Sequence, residues 1–281
     1  MIVDAHLHLW DPTLLRYPWL DGNALLNRAY LPKDFRDATE GCDIKSMVFV
    51  QCEVDPAQSL HEVEWVTTLS EREARIAAIV AWAPLERGHA AHQVLERLKQ
   101  FPLVRGIRRI VQFEPDPAFC LRPDFIDGVR LLADYGLTFD ICTDWSRLGN
   151  VVRFAQAVPE VPMVLDHIGK PPIATGQMEP WISQLQDIAS LPHVWCKLSG
   201  VATEADHRNW NEAQLTPYIA TAIEAFGYER LMFGGDWPVS TQAVAYRQWV
   251  SLLERSTAMA SPADRDRFWH RNAEQFYGLK H

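Results

Sequence analysis

Residues 46–52 read SMVFVQC and residues 76–82 read IAAIVAW. Both runs are short, almost wholly apolar and rich in β-branched residues. Strands buried on both faces of a parallel sheet look like this, because neither face meets water. Six more such runs occur: IVDAH from Ile2, VRGIRRI from Val104, LTFDIC from Leu137, PMVLDH from Pro162, VWCKLS from Val194 and LMFGGD from Leu231. Their starts lie 25 to 44 residues apart, the length of a strand plus a crossover helix. The stretches between them carry helical spacing, with Val94, Leu95 and Leu98 on one face and Phe125, Val129 and Leu132 on another. Further helical patterns run from Pro217 to Phe226 and from Pro262 to Tyr277. Eight strands alternating with helices, with no linker-like tract, predict a single-domain (β/α)₈ barrel over residues 1–281. The length suits that fold, which typically takes about 250 residues.

Composition narrows the function. The formal net charge of −9 argues against a nucleic-acid partner, which needs a basic surface. No run approaches the ~20 apolar residues of a membrane span, and the N-terminus has no leader pattern. The five cysteines form no CxxC pair, as expected of a cytoplasmic protein. A homo-oligomer is compatible with all of this. Eleven tryptophans are an excess.

In such a barrel the chemistry sits at the C-terminal ends of the strands. His6 and His8 close the first run and, two apart, face the same way. The second strand ends at Glu53, the fourth carries Arg108, the fifth ends in Asp140, the sixth in Asp166-His167 and the eighth in Asp236-Trp237. Polar residues at so many strand ends are costly to bury unless paired or used. His6, His8, Glu53, His167 and Asp236 are the candidate ligands for one divalent ion, Zn²⁺ or Mn²⁺, which would polarise a carbonyl. Asp236 is the candidate base, with His167 and Arg108 beside it. Asp4 shares the parity of His6 and reads as structural, Asp166 as facing behind the barrel, and Lys197 as either inside or outside. Trp10, Trp82, Trp145 and Trp237 fall at strand ends and, with Asp140, are expected to bind substrate, and Trp19 to reach the mouth from the loop spanning 12–34.

The segments DAHLHLWDP, RGIRR with EPDP, LDHIGKPP, CKLSG and FGGDWPV together resemble the lactonase branch of the amidohydrolase superfamily. That branch holds sugar-acid lactonases and lactonases of aromatic breakdown. The resemblance implies a distorted (β/α)₈ barrel with His6, His8, His167 and Asp236 in the active site and Asp236 as general base. Metal-rich members carry other ligands on strands 4 and 5, where this chain has Arg108 and Asp140, so a binuclear centre is not expected. Members that work without metal use histidines and an arginine on the carbonyl. The implied reaction is hydrolytic opening of a lactone, first an aldonolactone, to a hydroxy acid in carbohydrate metabolism. The alternatives are nonoxidative decarboxylation of an aromatic or muconic acid on the same barrel, and a barrel that binds sugar acids without turnover.

Overall fold

The computed structural model describes residues 1–279. Eight parallel strands follow in sequence order: β1 (Ile2–Leu7), β2 (Ile44–Val50), β3 (Ile76–Ala81), β4 (Val104–Arg108), β5 (Thr138–Ile141), β6 (Met163–Leu165), β7 (Val194–Leu198) and β8 (Leu231–Phe233). The ring closes beyond the end of β8. Asp236 N–H donates to His6 O at 2.8 Å, and His8 N–H donates to Trp237 O at 2.8 Å. Among the described residues ten helices surround the strands or seal the ends. They are α1 (Pro32–Ala38), α2 (Ser59–Ser70), α3 (His92–Leu98), α4 (Pro123–Tyr135), α5 (Leu148–Ala157), α6 (Trp181–Ala189), α7 (Glu212–Phe226), α8 (Tyr246–Ser256), α9 (Pro262–Asp266) and α10 (Asn272–Tyr277). A π-helical turn, Arg267–Arg271, joins the last two. The helix expected to begin at Pro217 begins earlier, at Glu212, because Asn211 and Gln214 form a reciprocal cap.

Strand alternation divides the buried residues in two. Outward positions such as Phe49, Ile79, Phe139 and Leu198 pack under the helices. Inward strand positions (Val3, Ala5, Val48, Val50, Ala78, Val80, Val164 and Met232) form a separate apolar plug with Phe276, Tyr277 and Leu279. The chain end therefore closes the bottom of the barrel. Above the plug the interior turns polar, and Tyr277 crosses that boundary by donating to Asp140 Oδ2 at 2.8 Å.

In β1, Asp4 pairs with Met47 but Leu7 pairs with Phe49, so β1 carries one extra residue. This bulge reverses the alternation. Asp4 consequently faces outward and accepts hydrogen bonds from Tyr246 Oη and Gly235 N–H, while His6 and His8 face inward. The shared parity expected for Asp4 and His6 does not hold. No helix among the described residues is long and apolar enough to cross a membrane.

Replacing Tyr277 with Phe removes a donor from a buried carboxylate whose other oxygen already lacks one. The expected loss is about 1–3 kcal/mol of unfolding free energy, read from urea denaturation.

Candidate active site

Inward positions of β4, β5 and β7, and the residue just after β6, carry charge. Lys197 on β7 lies inside the barrel, fully buried, 2.5 Å from Asp140 Oδ2 on β5 and 3.0 Å from Asp166 Oδ1 after β6. Asp166 was expected behind the barrel. It points inward because it continues the alternation of Val164, and the backbone then turns left-handed at His167 (φ 54°) and Ile168 (φ 50°). Both Asp166 and His167 thereby reach the interior. Burial pushes the Asp140 carboxyl up, whereas Lys197, His6 and Arg108 outweigh burial at Asp166 and hold it well below the usual carboxylate range.

Arg108 is buried on the opposite wall. Its Nη2 donates to Gln51 O at 2.5 Å, and its Nη1 lies 3.3 Å from Asp166 Oδ2 and 3.2 Å from His6 Nε2. Arg109, one residue on, faces outward to Glu86 and Glu114.

Three imidazoles sit above this layer. His8 Nδ1 is 2.7 Å from Val50 O, which can only accept, so Nδ1 carries the proton and Nε2 has a free lone pair. His167 Nδ1 is 2.9 Å from Ser199 Oγ. His6 Nε2 accepts from Arg108, which can only donate. Burial is the main cause that lowers all three pKa values, His167 to about 4. All three are therefore neutral at pH 7. Burial opposes ionisation of Asp236, but contacts with His167, His8 and His6 outweigh it and hold that carboxyl well below its usual range.

The donor set suits a divalent cation. His6 Nε2 and His8 Nε2 lie 3.2 Å apart, and Asp236 Oδ1 lies 3.8 and 3.5 Å from them. Ligands at tetrahedral zinc, about 2.0–2.2 Å from the ion, stand roughly 3.4 Å from one another. Donor atoms of His6, His167 and Asp236 also fall within 4.8 Å of one another. The second ring nitrogens of His8 and His167 are anchored, which is how metal-binding imidazoles are oriented. Two buried cations, Lys197 and Arg108, face the three carboxylates Asp140, Asp166 and Asp236. Glu53 lines the cavity but stands outside this group, its carboxylate accepting from Gln51 Nε2 at 2.6 Å.

The cavity above has a volume of about 230 Å³. That is below the 300–1,000 Å³ of sites for drug-sized ligands, and leaves room for one small ring. His8, Glu53, Arg108, His167 and Asp236 line it, with Trp19 and the exposed Phe113 as its aromatic walls. The four other tryptophans are not among its walls. Trp10 is fully buried, its Nε1 donating to Leu26 O and Arg28 O. Trp237 is buried against Tyr30 and Phe35. Trp82 lines a different cleft with Pro84 and Arg87. Trp145 packs on the outer core, its N–H donating to Lys170 O at 3.3 Å. Asp140 lies below the cavity, committed to Lys197 and Tyr277. Sequence reading missed Lys170, Gln112, Phe113 and Thr203, which line the cavity from loops where strand periodicity says nothing about direction.

A family model described as Amidohydrolase matches residues 3–279. The chain belongs to the amidohydrolase family. It is 34% identical over 291 residues to an L-fucono-1,5-lactonase of Burkholderia multivorans, covering 99% of this chain and 96% of that one. An L-rhamnono-gamma-lactonase of Scheffersomyces stipitis is 24% identical, with 85% of each chain covered. A crystal structure of an amidohydrolase from Burkholderia multivorans with bound zinc superposes over the full length of both chains with a TM-score of 0.88 and 33% identity. These relatives support the barrel reading throughout.

In metal-free protein, the fold favours neutral His167, whose ordinary value near 6.5 is lowered to about 4. Its contribution is intact above pH ~6.5 and is lost as pH falls from there through ~4, by roughly 3 kcal/mol. The difference in urea midpoint between the wild type and His167→Gln should therefore shrink across that window. Protein loaded with Zn²⁺ and then dialysed is expected to retain about one equivalent by elemental analysis, and His6→Ala almost none.

Proposed function

We propose that this protein hydrolyses a lactone, and that its substrate is a small sugar-acid lactone. The observation that carries the reading is the triangle of His6 Nε2, His8 Nε2 and Asp236 Oδ1 at the floor of a one-ring cavity, with Arg108 beside it. The lactonase names of relatives covering nearly all of the chain support the same chemistry.

Asp236 is ionised and faces the cavity, so it serves as the base that takes a proton from water. A carboxylate held so low is a weak base for ordinary water. A divalent ion held by His6, His8, His167 and Asp236, with Zn²⁺ favoured by the imidazole-rich set, would supply carbonyl polarisation and acidify the adjacent water. Arg108, whose guanidinium lines the cavity, provides a fixed donor where the carbonyl oxygen gains charge. Fixed donors of this kind need no reorganisation during the reaction. Water oxygen bonds to the acyl carbon, the ring C–O bond breaks, and Asp236 returns its proton to the departing oxygen. The product is an open hydroxy acid.

Trp19 and Phe113 provide flat apolar faces for the carbon side of a sugar ring. Trp19 is fixed for this by its Nε1 bond of 2.7 Å to Cys52 O. No basic surface is needed, since the ring is neutral until it opens.

A pH-indicator screen of 1,4- and 1,5-aldonolactones tests the assignment. Acid release is expected from at least one of them, and Asp236→Asn should lower kcat/KM by about 10²- to 10⁴-fold with folding intact. Carbon dioxide release from an aromatic acid with no lactone opened would overturn the reading.

A further inference from the structure

Arg108 is already committed to Gln51 O, Asp166 and His6. Lys170 is different. It lines the cavity, and its ammonium makes no hydrogen bond or ion pair among the described residues. Its backbone is anything but idle. Lys170 has φ 45°, a left-handed conformation that favours glycine. The turn is held by its N–H donating to His167 O at 2.9 Å and by its carbonyl accepting from Trp145 N–H at 3.3 Å. Trp181 Nε1 secures the same loop through Ile168 O at 2.8 Å. The chain thus bears backbone strain to hold a cation on the wall of the cavity with its donors unspent.

The side chain emerges after β6, beside the loops that follow β7 and β8. Asp236, Glu204 and Cys142 are its electrostatic neighbours, and together they outweigh burial and keep it charged. Arg108 stands on β4 and makes its contacts toward β1, β2 and β6. The cavity therefore has two cations on different walls: Arg108, held through both Nη atoms with only its buried Nε unpartnered, and Lys170, whose ammonium is free.

Ring opening places two oxygens under charge. The carbonyl oxygen gains it as water adds, and the ring oxygen gains it as the C–O bond breaks. An aliphatic alkoxide is a poor leaving group unless something donates to it. We propose that Lys170 is a catalytic residue whose ammonium donates a hydrogen bond to the ring oxygen of the lactone as it departs. This rests on the lactonase reading. Lys170 keeps its proton throughout. The proton that neutralises the alkoxide is the one Asp236 removed from water, and the carboxylic acid product then ionises into solvent.

The test uses Lys170→Met, Lys170→Arg and Lys170→Gly, assayed on the aldonolactone that the wild type hydrolyses best. Lys170→Met is expected to lose about 10²–10³-fold in kcat with KM changed far less, the size seen when one fixed donor to a developing charge is removed. Lys170→Arg should recover most of that loss. Lys170→Gly relieves the left-handed strain, so it keeps the fold and leaves a space. Ethylammonium should restore its kcat in a saturable manner, and tetramethylammonium, which has no N–H, should not. Equal recovery with both cations would overturn the assignment, as would a raised KM with unchanged kcat, or full activity in Lys170→Met. A wild type inert toward every lactone would overturn the reading on which it rests, and that outcome is seen before any variant is made.

Discussion

The interaction on which the rest depends is the fully buried ammonium of Lys197 between the carboxylates of Asp140 and Asp166. A lone charge at that depth is very costly, and only close pairing makes it tolerable. The pairing constrains three strands at once, β5, β6 and β7, and Tyr277 ties the chain end to the same carboxylate. It also sets the electrostatics of the mouth. Asp166 shares its charge with His6 and Arg108, so the arginine is drawn inward and His6 is held between fixed partners. The floor of the cavity is thus a fully buried salt-bridge network. What it presents upward is three neutral imidazoles and one ionised carboxylate.

Above that layer the backbone is bent out of its preferred conformations. The non-glycine residues with left-handed φ are Glu53, His167, Ile168, Lys170 and Asp236, and four of the five line the cavity. His167, next to the inward-facing Asp166, would by strand alternation point away from the centre. The turn brings it back, at an energetic cost that the surrounding bonds offset. Gly200, itself at φ 58°, is part of this design. A Cβ there would collide with His167 Nδ1 and crowd Asp236 Oδ2.

Much of this was legible in the residues. Runs that begin at Ser46, Leu137 and Pro162 in the sequence correspond to strands beginning at Ile44, Thr138 and Met163. Parallel strands buried on both faces announce themselves by unbroken apolarity. His6, His8, His167 and Asp236 could be grouped because strand ends of a barrel converge. Period-two reasoning failed where the period broke: at the bulge in β1 for Asp4, and at the left-handed turn after Asp166. The tryptophans misled for another reason. An indole in the interior needs an acceptor, and of the four expected at the mouth Trp10 finds one in the backbone of a loop. Trp10, Trp19, Trp181, Trp210 and Trp249 each donate Nε1 to a main-chain carbonyl. Five of the eleven thus fasten main-chain segments, and Trp19 is the one among these five that also faces the cavity.

The account stands on water attacking the acyl carbon from the side of Asp236. Turnover of an aldonolactone in H₂¹⁸O, followed by mass spectrometry of the product, reports on that step directly. One ¹⁸O per molecule in the carboxylate and none in the released hydroxyl is the expected result. Label in the hydroxyl would mean attack at the alkyl carbon and would contradict the mechanism.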